Sequence, residues 1–457
     1  MRSLPFDAQR SINLFPVFDQ RGKEVAAMYS TPGKVLFGTA GVGPGRGTFA
    51  SSNGRAFSVS GAQIYEVLSN GDTVEIGGLD QSSGLITIAE NNTQLAVCDG
   101  FSLYILTYST DVWVKVSAAG FPAGGAGTVT FIDGYFVVNE NNSGRFFISA
   151  INNGLLWDAL DFATAESSPD KLVACINAVG QLWLFGDKTT EIWSNTGDST
   201  FPFRRVSGAV MEAGTTSAFS FVEMDNSIFW VGQDEYGSGV VYRTQGFSPA
   251  RISTTAIEKR IQEATDLESL TSWAYQEEGA SFYVITGGGL ETSLVYDLTT
   301  QQWHERAFMN SDGDFEQDLA QDHMFAFGKH IVNDRRNGNI YDMSLDYYDD
   351  AGEELVRERI YTHLSDEGQR IRYNSLEIGF EVGVGLQTGQ GSNPLVSFCL
   401  SKDGGRRWTD WVTSSIGAVG KYQTKVVFRR LGIAEQMTFR LRITEPVRVA
   451  ITGSYLL

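Results

Sequence analysis

An apolar residue followed by an aromatic one closes a short strand-like run seven times along this chain: Ile64-Tyr65, Leu103-Tyr104, Phe146-Phe147, Ile192-Trp193, Val241-Tyr242, Val295-Tyr296 and Ile340-Tyr341. Successive pairs lie 39, 43, 46, 49, 54 and 45 residues apart. Upstream of each pair, behind a turn, stands another apolar run: "NGRAFSVS", "NTQLAVCDG", "DGYFVVNE", "VGQLWLFGD", "DNSIFWVGQ", "EGASFYVITG" and "GKHIVND". Two such runs joined by a turn read as a hairpin. A unit of about 40 to 50 residues holding several strands has the size of a propeller blade. The spacing therefore predicts an all-β chain with a β-propeller of seven blades over residues 48–370. A multi-sandwich arrangement of the same strands is the competing architecture. With 50 Gly and only 19% charged residues, the composition is that of a folded, turn-rich protein.

One segment breaks the pattern. "STTAIEKRIQEATDLESL" places Ile257, Ile261, Ala264 and Leu267 on one helical face, with Thr255 and Glu258 as a capping box. It reads as an insertion after the fifth unit, outside the blade sheets. Residues 1–47, including the glycine-rich "GTAGVGPGRG", read as an N-terminal arm and lead-in. From residue 371 the strands alternate cleanly, with Phe439, Leu441 and Ile443 on one face and Arg440 and Arg442 on the other. Residues 371–457 are expected to form a separate C-terminal antiparallel β domain. Its solvent face would carry Arg429, Arg430, Arg440, Arg442 and Arg448, a set suited to a neighbouring subunit's carboxylates.

Charge divides along the same boundary. The formal net charge is −19, yet residues 371–457 hold 11 basic and 6 acidic residues, which leaves 24 basic and 48 acidic residues in the rest. An acidic body repels phosphate, so tight wrapping of duplex DNA is not expected. Two acid clusters stand out: Asp312, Asp314, Glu316, Asp318 and Asp322, then Asp342, Asp346, Asp349, Asp350, Glu353 and Glu354. Neither has the spacing of a calcium loop, and they read as solvated faces lining a channel or meeting a basic neighbour. Cys98, Cys175 and Cys399 each sit in an apolar run without a partner and read as buried free thiols. The four histidines, His304, His323, His330 and His363, fit no metal or catalytic spacing, and no nucleophile elbow or phosphate-binding loop occurs. No cofactor and no enzymatic activity are expected. The start lacks a signal-peptide pattern and no apolar run is long enough to cross a bilayer, so no membrane partner is expected.

"SKDGGRRW" spells the Ser-x-Asp-x-Gly-x-x-Trp hairpin seen in sialidase blades. It occurs once and outside the seven units, so Ser401, Asp403, Gly405 and Trp408 are assigned a structural role, Trp408 capping the core beneath. A sialidase-like hydrolase is thereby disfavoured. A receptor- or glycan-binding propeller stays open as a second reading.

Several stretches carry a family likeness: "NLFP" with "TPG" downstream, "KTTEIWSNTG", "ISTTAIEK", and the ending "VVFRRLG" with "FRLRITEPVRVAITG". In these the chain resembles the packaged-DNA stabilisation proteins of short-tailed bacteriophages, the tail hub or nozzle components. The resemblance implies a virion protein made in the host cytoplasm and assembled as a hexameric ring. It also implies portal and adaptor proteins above the ring, tailspikes or a tail needle below, and double-stranded DNA passing through without tight binding.

Overall fold

The computed structural model describes residues 9–18, 27–165, 168, 170–234, 237–362, 364–365 and 369–456. Among these, seven antiparallel sheets succeed one another over residues 45–78, 87–115, 126–164, 172–211, 214–251, 270–309 and 320–344. Every upstream apolar run is the second strand of its sheet, and every apolar-aromatic pair lies in the third. The physical reason is burial on both faces. Central strands packed between neighbouring sheets read as continuous apolar runs, and the first member of each pair is wholly buried.

Seven apolar cores separate the sheets, one between each consecutive pair. The last of them (Ala40, Ala56, Val67, Met324, Ile331 and Ile340) joins the seventh sheet to the first, so the series closes on itself. Hydrogen bonds between innermost strands reinforce the closure. Val129 N donates to Thr87 Oγ1, Cys175 N to Thr128 Oγ1, Asn177 N to Thr130 Oγ1, Ser272 N to the Phe219 carbonyl and Thr48 N to Asp322 Oδ2.

The first 47 residues are not a free arm. Strand β1 (Arg10–Ile12) runs parallel to the outer strand of the sixth sheet, with Ile12 opposite Glu305, and antiparallel to Arg357–Ile360. It thereby joins the sixth sheet to a sandwich sheet whose further strands are Thr438–Ile443, Leu395–Ser401 and Val412–Ser415. β2 (Leu14–Val17) and β3 (Ala27–Ser30) form the edge of the facing sheet, beside Ala450–Leu456, Ile371–Phe380 and Val426–Ala434. β4 (Gly33–Thr39) is the fourth strand of the seventh sheet, antiparallel to Asn339–Ser344. The glycine-rich stretch after it links β4 to the first strand of the first sheet. The sandwich thus needs residues from before 47 and from 357–360 as well as those after 371. Sequence periodicity misplaced these strands because β1, β3 and β4 pair with strands about 300 residues or more away.

The "NLFP" stretch shows how the two parts are joined. Strand alternation sends Leu14 into the sandwich core and Phe15 into the core between the sixth and seventh sheets. Asn13, in the left-handed region at φ 54, donates through Nδ2 to the carbonyls of Ala307 and Val356 and accepts at Oδ1 from Ala307 N. Asparagine tolerates this backbone and supplies both donor and acceptor.

The helix is shorter than its pattern. It spans Thr255–Gln262, and Thr254, not Thr255, is the cap, its hydroxyl accepting from Ile257 N. Glu258 accepts instead from Ser253 Oγ and Arg251. Ile257 and Ile261 enter the core between the fifth and sixth sheets, so the helix is a plug in that seam and not an appendage.

Candidate functional site

The propeller axis is the first place to look for chemistry, because innermost strands from all seven sheets converge there. The channel is small, about 290 Å³, and Thr48, Thr87, Thr128, Thr130 and Thr271 line it. The hydroxyls of Thr87, Thr128 and Thr130 accept the inter-sheet hydrogen bonds described above, that of Thr48 donates to Asp322 Oδ2 and that of Thr271 to the Phe219 carbonyl. Asp322 is the carboxylate among the lining residues. Its Oδ2 accepts from Thr48 N and its Oδ1 from His323 N, yet burial outweighs both and pushes the carboxyl up to about 6.

A raised carboxyl has a definite consequence. Between about pH 4 and 6 the unfolded chain releases this proton before the folded one does, so the contribution of Asp322 to stability falls as pH rises through that window. Asp322→Asn is therefore expected to be more stable than the parent at pH 7 by about 1–3 kcal/mol, with the gap closing at pH 4. Urea unfolding of both proteins at the two pH values measures it, and a gap independent of pH would refute it.

Asp342 and Asp350 of the second acid cluster and Asp318 of the first are interior. Lys34 on β4 places Nζ 2.8 Å from both Asp318 Oδ1 and Asp350 Oδ1, and Arg306 Nε lies 2.6 Å from Asp318 Oδ2. All four side chains are at most 2% exposed. The Arg306 guanidinium also lies over Trp273 and Tyr275, at 5.8 and 5.9 Å from the ring centroids. Burial alone would raise both carboxyls. Arg306 and Lys34 hold Asp318 well below the carboxylate range, whereas burial keeps Asp350 above it. Asp342 is buried against Lys329 and accepts from Tyr347 Oη. Glu316 accepts from Asn310 and pairs with Arg335 at 3.6 Å. Asp312, Asp314 and Asp346 are exposed and Asp349 is half-buried. The reading of these acids as solvated faces therefore fails for Asp318, Asp342 and Asp350, which are buried against Lys34, Arg306 and Lys329.

The sandwich arginines divide similarly. Arg440 and Arg442 both pair with Glu358 at 2.8 Å, Arg440 lying over Trp408 and Trp411 and Arg442 over Trp411 and Phe315. They are bound within the chain. Arg448 pairs with Glu381 at 3.3 Å over the ring of Tyr29. Arg429 and Arg430 are exposed on the edge strand Val426–Ala434. The Ser401 hairpin spends its polar groups on itself. Asp403 Oδ1 accepts from Ser401 Oγ and from the backbone of Arg406 and Arg407, Gly405 N donates to Ser401 Oγ, and Gly404 and Gly405 hold φ of 72 and 93. Trp408 is half-buried against Arg440 and does not join the apolar core.

Sequence reasoning missed Lys34, Glu305, Arg306, Arg357 and Glu358. Arg357 is fully buried and donates to Ser30 Oγ and to the carbonyls of Glu445 and Tyr348. Burial lowers it to about 10. Glu305 sits between Arg10 and Arg260, which outweigh burial and hold it near 2. The available signal was a charge or two inside an apolar strand-like run, as in "GKVLFG" and "WHERAFM". The three cysteines are buried and free. His363 lies outside the described residues. Among those described, no group of His, Cys, Asp and Glu could hold a metal ion, and no helix is long and apolar enough to cross a membrane.

Comparison with known families decides the assignment. Residues 2–348 match the family described as bacteriophage P22 Gp10, beta-propeller, and residues 357–456 match bacteriophage P22 Gp10, beta-sandwich. The chain belongs to the bacteriophage P22 Gp10 family. It is a phage structural protein of the tail hub family, and its propeller segment also includes β1, β2 and β3, which pair into the sandwich sheets. No curated protein matches this Gp10-family chain. Among solved structures it is similar to the extracellular domain of the one-component system BT4673 from B. thetaiotaomicron, at 10% identity and a TM-score of 0.45. That match covers 84% of this chain and 47% of the other, so the chain spans about half that domain's length. The β-propeller domain of Cps50 (Swd1) from Myceliophteria thermophila matches at 7% identity and a TM-score of 0.43, covering 68% of this chain and 99% of that one.

Proposed function

We propose that this chain forms the tail hub or nozzle of a short-tailed phage, a six-copy ring below the portal that extends the DNA channel, helps retain the packaged genome and anchors other tail proteins. The observation that carries the reading is the family match in two consecutive segments, which together span nearly the whole chain. Charge supports it. At −19 per copy, a ring of such subunits presents a wall from which a polyanion is repelled, so DNA passes without sticking. Exposed Asp312, Asp314 and Asp346 and the exposed cations Arg429 and Arg430 are the surface groups available for intersubunit or channel contacts. The self-satisfied Ser401 hairpin speaks against a sialidase-like role.

The test is native mass determination of the purified chain alone and after mixing with the portal and adaptor proteins. Addition of six copies to the portal complex is the expected result. No association, or a stoichiometry unrelated to six, would remove the reading.

A further inference from the structure

A cleft of about 680 Å³ opens where the sixth and seventh sheets meet the sandwich, within the range of clefts that take sizeable ligands. One wall is the end of β2, where Val17 is 37% and Phe18 47% exposed, and Tyr348 contributes a second aromatic surface. The other wall is the hairpin tip carrying Glu277 and Glu278, with Asp346 beside it. Among the described residues no cation makes an ion pair with these three carboxylates. Glu277 accepts Leu345 N at Oε1, while its Oε2 is buried without a partner. Burial, with the like charges of Glu278 and Asp346 added, keeps the Glu277 carboxyl above its ordinary range despite that hydrogen bond and Arg306. Crowded, unpaired anions beside exposed aromatic surface are a costly arrangement for the chain alone.

The cleft already shows how it treats a cation. Arg448, on its sandwich side, lies 5.8 Å over the Tyr29 ring while pairing with Glu381. Phe18, Tyr348, Glu277, Glu278 and Asp346 bring rings and carboxylates together in the same way, and among the described residues none places a cation on them. We infer that this cleft docks an extended segment of another tail protein that presents an arginine or lysine flanked by apolar side chains. The cation meets Glu278 and Asp346, with the charge of Glu277 behind them, and the apolar neighbours cover Val17 and Phe18. The occupant's being a tail protein rests on the function proposed above; the preference for a flanked cation does not.

The test uses the full chain and a fluorescently labelled, end-blocked tetrapeptide alternating leucine and arginine, followed by polarisation at physiological salt. Binding is expected, with at least about tenfold loss when Glu278→Lys and Asp346→Lys are combined, and a comparable loss for Phe18→Ala. Asp312→Lys with Asp314→Lys makes the same charge change on an exposed hairpin elsewhere and is expected to leave affinity within about twofold. All these side chains are exposed, so the variants fold. No binding, equal loss in the two double variants, or indifference to Phe18→Ala each overturns the inference. None of these arms contains the portal complex, so a failed cleft leaves the tail-hub reading to its own mass measurement.

Discussion

Lys34→Met is expected to cost about 3–5 kcal/mol of stability, the usual result of removing one partner from a buried ion pair. Lys34 neutralises Asp318 and Asp350 together, and the cluster Lys34, Arg306, Asp318 and Asp350 carries no net charge. Without the ammonium group, Arg306 alone faces two buried carboxylates. One of them must take up a proton or draw in water. The effect is structural as well as energetic, because each member comes from a different place: β4, the outer strand of the sixth sheet, the entry to the seventh, and the linker to the sandwich. The double variant Lys34→Met with Asp350→Asn removes a charge of each sign and leaves Arg306 paired with Asp318, so it is expected to recover most of the loss. Urea midpoints measured at constant m-value decide the matter, and a single variant within about 1 kcal/mol of the parent would refute the account.

Deleting residues 1–32 is expected to abolish the folded sandwich while leaving the second to fifth sheets protected. The deletion takes β2 and β3 from one sandwich sheet, β1 from the other, Leu14 from the sandwich core and Phe15 from the core between the sixth and seventh sheets. It also strips Asn13 from the carbonyls of Ala307 and Val356 and Ser30 from Arg357, leaving buried polar groups unsatisfied. The second to fifth sheets contain no strand from this segment. Hydrogen exchange on the truncated chain is expected to show loss of protection over 371–456 with protection retained over 87–251. Native protection of the sandwich in the truncated chain would sink the expectation.

Local pattern made the repeating sheets legible and left their closure hidden. The pairs from Ile64-Tyr65 to Ile340-Tyr341 mark third strands because each hairpin is made by residues close in sequence, and burial on both faces writes a continuous apolar run. β1, β3 and β4 pair with strands that begin near residues 302, 339, 357 and 450. No periodicity records such a distance. Asp342 and Asp350 were visible as acids but not as interior residues, since a count of charges carries no direction and does not show Lys329 and Lys34 beside them. The Ser401 hairpin was readable because its hydrogen bonds span four residues or fewer. Trp408 was misread as a core cap because the guanidinium beneath it lies on another strand.

The seven inter-sheet cores are unequal. Six hold nine to twelve buried apolar residues, whereas the one between the seventh and first sheets holds six, two of them alanine. Hydrophobic free energy scales with the area removed from water, so this join contributes least. The body is a split washer and not a welded band: outward load concentrates at one fixed azimuth, where it can give while the rest of the circumference stays intact.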